Sequence, residues 1–174
     1  MESIATTLKD FLQSLISQLL ADPEEKEFSA TPFIHSKELL EKDQIILDML
    51  NSPGHEAICY CICDKGLPDL PIIFASDGFC AFTGYDKKEI EGKNCRFLQG
   101  PETAKEDVDR IRLAIKEEHE TSVNLLNYRK DGSKFVNEFF ISPLRDTSKN
   151  VVYYIGVQCS VPKQGPGQMP ANAG

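Results

Sequence analysis

The chain has 174 residues, 41% of them hydrophobic, and no apolar run long enough to span a bilayer, which fits one soluble domain of ordinary size plus an extension. With 19 basic against 27 acidic residues it carries a net charge of -8, which argues against binding nucleic acid through a general basic surface but leaves room for a local anion site. The first twenty residues lack a basic leader and carry Lys9 and Asp10 where a signal peptide is apolar, so the chain is expected to be intracellular, cytoplasmic or nuclear, with its 6 cysteines reduced.

Apolar positions Ile4, Leu8, Phe11, Leu12, Leu15 and Leu19 recur at helical spacing, predicting a helix over 3–20 that Asp22-Pro23 ends. Residues 21–35 read as a linker. Ser36 is placed to cap a second helix carrying Leu39, Leu40, Ile46, Leu47 and Leu50, and Asn51-Ser52-Pro53-Gly54 stops it. Two helices cannot bury their own apolar faces, so they are expected to dock on the following domain or on a second copy of the chain. From residue 56 the pattern changes: strands are predicted at Ala57–Cys63 and Ile72–Ala75, then short helices around Phe79–Thr83 and Lys87–Ile90, divided by Gly78, Gly84 and Gly92. A clearer helix spans Ala104–Glu118. Strands Ser122–Tyr128, Phe135–Ser142 and Val151–Cys159 follow, the first two joined by an Asp131-Gly132 turn. The order predicts an α+β fold: a five-stranded antiparallel sheet with short helices on one face and an N-terminal helical extension. The predicted division is 1–55 for the extension, 56–162 for the domain and 163–174 for a disordered tail of Pro, Gly, Gln and Ala.

Alternation lets each sheet face be read separately. One face collects Val123, Leu125 and Asn127, then Phe135, Asn137, Phe139 and Ile141, then Val152, Tyr154, Gly156 and Gln158. Three carboxamides among apolar neighbours are costly unless they bond to something. They can bond to one another, or to a flat heterocycle with donors and acceptors along one edge, with Gly156 leaving room for a ring. The other face, with Leu126, Tyr128, Val136, Phe140, Tyr153, Ile155 and Val157, is also apolar and needs a cover: residues 3–50, or a homodimer partner. Cys59, Cys61 and Cys63 point to one side of their strand and read as small buried side chains; a zinc site lacks a fourth ligand, and no metal is expected. Arg96, beside Cys95, and Arg112, in the long helix, would together suit a phosphate, though each alone reads as a surface ion pair.

The segments "NCRFLQGPET" (Asn94 to Thr103), "IRLAI", "LLNYRKDGSKFVNEFF" and "YYIGVQ" resemble a LOV domain, a flavin-binding blue-light sensor of the PAS superfamily, over about residues 56–160. The resemblance implies a noncovalent FMN, with FAD as the alternative. Cys95 matches the cysteine that adds to flavin carbon C4a under blue light. Asn94 and Gln99 match residues lining the ribityl and ring pocket, and Arg96 and Arg112 the phosphate-binding arginines. Asn127 and Asn137 match the partners of the ring's polar edge, Phe139 a ring-packing residue, and Gln158 the glutamine beside N5. Val136 departs from a common aromatic, and the loop Lys65–Pro71 resembles fungal and circadian or short LOV proteins more than plant phototropins.

The implied function is blue-light sensing, not enzymatic catalysis: Cys95 stays a neutral thiol in the dark, and adduct formation makes Gln158 reorient and reseat the N-terminal helices or a homodimer. The alternative is a PAS-type ligand-binding or redox module without photochemistry, in which Cys95 is a sensitive thiol. A thiol enzyme would need a histidine poised on Cys95, and His35, His55 and His119 are not so spaced.

Overall fold

The computed structural model describes residues 7–21 and 31–160. The tail 163–174 and Ile4 lie outside the described residues. The elements are α1 (Leu8–Ala21), α2 (Glu41–Leu50), β1 (Cys59–Asp64), β2 (Ile72–Ala75), α3 (Asp77–Thr83), α4 (Lys87–Ile90), a 3₁₀ turn (Cys95–Leu98), α5 (Lys105–Glu117), β3 (Thr121–Tyr128), β4 (Lys134–Arg145) and β5 (Val151–Ser160). No helix among the described residues is long and apolar enough to cross a membrane.

The five strands form one sheet in the order β2-β1-β5-β4-β3, every neighbouring pair antiparallel. The sheet is buried on both faces. On one face, α3, α4, α5 and the 3₁₀ turn enclose a cluster that includes Phe79, Ile90, Leu98, Ala114, Val123, Leu125, Phe139 and Tyr154. The opposite face collects Tyr60, Ile62, Phe74, Phe140, Leu144, Tyr153, Ile155 and Val157. There α1 supplies the expected cover: Leu8, Phe11, Leu12 and Leu15 are buried against it, and the Phe11 ring stacks on Phe140 at 5.3 Å between centroids. Fully burying each such side chain contributes about 1.5–3 kcal/mol. The apolar stripe of α1 is therefore spent on its own chain's sheet.

Four details depart from the sequence expectation. Ser36 does not cap α2, which begins at Glu41 after Leu40. Leu39 instead bridges Asp146, and the Leu40 N–H bonds to the Arg145 carbonyl at 2.8 Å, so strand-like pairing with the end of β4 displaces the first helical turn. The first strand opens at Cys59, because Ala57 and Ile58 belong to the turn after α2. Gly78 does not divide helices but lies inside α3, where a Cβ would stand 2.6 Å from the Ile58 carbonyl oxygen. In β5, Leu144 pairs with Tyr153 and Arg145 with Val151, so Val152 is the extra residue of a bulge and Val151 takes its place on the helix-covered face.

Two polar side chains fix the packing of this frame. Ser76 caps α3 by accepting from the Phe79 N–H at 3.0 Å, and its hydroxyl donates to the Ile58 carbonyl at 2.8 Å. Asp43, 3% exposed, accepts from the Arg145 N–H at 2.8 Å and so ties α2 to β4. Burial raises the Asp43 carboxyl above its ordinary value, against the opposing pull of that hydrogen bond. A carboxyl raised in the folded state favours folding below its unfolded pKa, and that contribution is lost as pH rises through the folded value. Asp43→Asn, which keeps an acceptor without the charge, is expected to flatten this fall in thermal stability as pH rises above the ordinary carboxylate range. Asp43→Ala, which leaves the Arg145 N–H without its acceptor, should cost about 1–3 kcal/mol and be read in the same melting series.

Candidate ligand cleft

A cleft opens between the sheet and the 3₁₀ turn and α5. Its walls are Cys61 and Cys63 from β1, the 94–99 segment, Ile111 and Ile115 from α5, Leu125 and Asn127 from β3, Asn137, Phe139 and Ile141 from β4, and Tyr154, Gly156 and Gln158 from β5. The structure thus gathers Asn94, Cys95, Arg96, Gln99, Asn127, Asn137, Phe139 and Gln158 around one space. It does not bring Arg112 to that wall. The Arg112 side chain is exposed and pairs with Asp109 at 3.0 Å, one turn back on α5.

The 94–99 segment is built to present Cys95. Asn94 caps the 3₁₀ turn by accepting from the Arg96 N–H at 3.0 Å, and its amide donates to the Asp69 carbonyl at 2.7 Å. Leu98 is buried, and Phe97 meets the Tyr85 ring edge-on at 5.0 Å, which anchors the turn to the helices. Arg96 forms a two-pronged pair with Asp69 at 2.5 and 2.7 Å. Both members are more than half exposed, so solvent screens the pair and it is cheap to exchange for another anion.

The three carboxamides answer the question their spacing raises. Asn137 Nδ2 donates to Asn127 Oδ1 at 2.9 Å and to Gln158 Oε1 at 3.4 Å, so the amides do bond to one another. The row is not closed: Asn137 Oδ1 is buried with no hydrogen-bond partner, the one such side-chain atom among the described residues. An unmet buried acceptor costs about 1–3 kcal/mol, so this oxygen calls for a donor from the cleft. Gly156 keeps that cleft open. A Cβ there would lie 2.7 Å from the Phe139 ring and 3.5 Å from Cys61 Sγ.

Cys59, Cys61 and Cys63 are small buried side chains as expected, and two of them also meet Cys95: Cys61 Sγ and Cys63 Sγ lie 3.7 and 3.8 Å from Cys95 Sγ. The alternating Cys-x-Cys-x-Cys of β1 was the available signal; contact with Cys95, more than thirty residues on, depends on how the 3₁₀ turn seats against β1. The thiol of Cys61, then that of Cys63, holds Cys95 well below the usual thiol range, ahead of burial, which pushes it up. Cys61 is raised by Cys63, by Cys95 and by burial. The expectation of a neutral Cys95 did not include these two neighbouring thiols.

This geometry has known counterparts. The family model described as a PAS domain matches residues 55–159, more than half of the chain. Rice (Oryza sativa subsp. japonica) phototropin-2 is 54% identical over 99 residues, which are 57% of this chain and 11% of that protein. A blue-light photoreceptor of Listeria monocytogenes is 45% identical over 117 residues, 67% of this chain and 45% of that protein. The chain therefore spans about a tenth of the phototropin and under half of the bacterial receptor. Among solved structures, the light-state LOV domain of the blue-light photoreceptor Aureochrome1 superposes with a TM-score of 0.60 at 53% identity, over 60% of this chain and 82% of that one. A light-oxygen-voltage domain studied with a flavin analogue gives 0.64 at 46% identity, over 68% of this chain and 86% of that one. The chain belongs to the PAS domain family, and its sheet domain is of the LOV type.

Gly156→Ala tests the cleft as a built space. The added methyl is expected to overpack against Phe139, cost about 1–3 kcal/mol in thermal unfolding, and weaken uptake of any planar ligand.

Proposed function

We propose that this domain is a blue-light sensor that holds a flavin, FMN in preference to FAD, in the cleft beneath Cys95. The observation that carries the reading is the unpartnered Asn137 Oδ1 at the end of an amide row, in a cleft kept open by Gly156 and faced by a nucleophilic thiol. The residues lining the cleft fit the group: Asn137 and Asn127 would meet its polar edge, Phe139 would pack on its ring, and Asn94 and Gln99 would bond its side chain. Arg96 would exchange Asp69 for its phosphate, and Arg112, exposed on α5 and paired with Asp109, would be its second cation. The loop carrying Asp69 borders Arg96, so this loop governs whether a longer FAD tail is admitted.

The flavin supplies absorption of blue light and an electrophilic ring carbon, C4a. Cys95 would supply the sulfur nucleophile facing it from the cleft wall. Gln158 is 2% exposed on the cleft face, and the neighbouring Val157 packs on the opposite face in the cluster that buries α1. An amide that flips between accepting and donating at Gln158 therefore acts on a strand whose other side carries the N-terminal helix. Release of α1 exposes the apolar face of the sheet, and this face is where a second copy of the chain binds. A histidine kinase of Rhizobium johnstonii described as blue-light-activated is 44% identical over 97 residues, 28% of its length. Here the sheet domain acts as the input element, and catalysis lies elsewhere.

Protein purified in darkness is expected to show a flavin spectrum that bleaches under blue light and recovers in the dark, with the flavin released by heat identified chromatographically. Cys95→Ala should keep the flavin and lose the reversible bleaching; bleaching that survives the substitution would refute the role of Cys95. Gln158→Leu should still bleach, yet lose the light-dependent change in hydrogen exchange of residues 8–21. A light response of α1 equal to that of the unmodified protein would show that the signal takes another route.

A further inference from the structure

Cys61, Cys63 and Cys95 place all three sulfurs within 4.8 Å of one another. Among the described residues, neither a carboxylate nor an imidazole lines the cleft around them. A metal held by three sulfurs alone would lack the fourth ligand that zinc demands. What the arrangement provides is a nucleophilic thiol with two reduced thiols already in contact. Cys95 is half-buried at the cleft wall, beside the exposed Arg96, while Cys61 and Cys63 are fully buried behind it. A thiolate at that position is the form that reacts with peroxides, and the contact distances leave each sulfur under about 1 Å to move before reaching the bonded separation of about 2.05 Å.

We infer that Cys61 and Cys63 form a redox modification site with Cys95: a hydroperoxide oxidises Cys95, and either β1 thiol then captures it as a disulfide. In the first step the Cys95 sulfur attacks the terminal peroxide oxygen and the O–O bond breaks. The leaving oxygen takes a proton and departs as water or an alcohol, and Cys95 becomes a sulfenic acid. In the second step the sulfur of Cys61 or Cys63 attacks the Cys95 sulfur, and the displaced hydroxyl leaves as water with the thiol proton. The two thiols are oxidised by two electrons and the peroxide is reduced by two. The disulfide removes the sulfur that the light reaction uses, so this inference rests on the proposed function for its consequence but not for its chemistry. The second thiol also protects: without a partner, a sulfenic acid proceeds to the sulfinic acid, which a dithiol does not reverse.

The test treats the flavin-loaded protein in darkness with hydrogen peroxide, alkylates the remaining thiols and maps the peptides without reduction. The expected product links Cys95 to Cys61 or Cys63, with two alkylatable thiols lost per chain and both regained with dithiothreitol. The doubly substituted Cys61→Ser, Cys63→Ser protein should instead carry Cys95 as a sulfinic acid that dithiothreitol leaves unchanged. Cys95 remaining fully alkylatable in the unsubstituted protein, or the same irreversible product in both proteins, would overturn the inference. Absence of bleaching in protein that still forms the linked peptide would sink the photosensor reading alone.

Discussion

The amide of Asn137 holds the cleft together and leaves it unfinished. Its two N–H bonds run sideways, to Asn127 on β3 and Gln158 on β5, and so lock three strands in register at the one place where the sheet face is polar. Both donors are used, and the oxygen has nothing to accept from. A packed apolar core does not tolerate such an atom without a reason, because its desolvation is not offset. Everything else around the cleft is consistent with a planar partner that completes the row: the missing side chain at Gly156, the Phe139 ring beside it, and the capped turn that hangs Cys95 over the opening.

Much of this was legible in the sequence because it rests on period and on turn chemistry. The strand alternation put Asn127, Asn137 and Gln158 on one face, and the structure keeps them there, since β3, β4 and β5 are regular over those residues. The same alternation failed at Val152, where a bulge adds a residue that no local pattern marks. It also failed at Ser36, whose capping chemistry was sound but whose segment was claimed by a bridge to Asp146 more than a hundred residues away. The contact of Cys61 and Cys63 with Cys95 belongs to the same class: the three residue types were visible, but their distance was set by how a short turn docks on a strand. For Arg112, helical position alone could not say whether the side chain reaches the cleft or folds back on Asp109.

The N-terminal extension is bonded into the domain by two unlike means. α1 is held by apolar burial through Leu8, Phe11, Leu12 and Leu15, which is non-directional. α2 is pinned by direction, through the Asp43 carboxylate and the Leu40 N–H at the end of β4. The two helices thus meet the sheet through different kinds of contact, one apolar and one directional.

The strand order has a consequence for how the chain is made. β5 is the last strand in sequence but the middle one in space, between β1 and β4. Until Val151–Ser160 has been synthesised, β1 with β2 and β3 with β4 are two separate ladders, each with an inner edge that has no partner. The cleft has no floor before that moment, because Tyr154, Gly156 and Gln158 arrive together with the strand that joins the halves. The nascent domain thus cannot bind its ligand piecemeal. Sheet closure and completion of the pocket are one event, placed at the end of translation of the domain and governed by contacts between residues far apart in sequence.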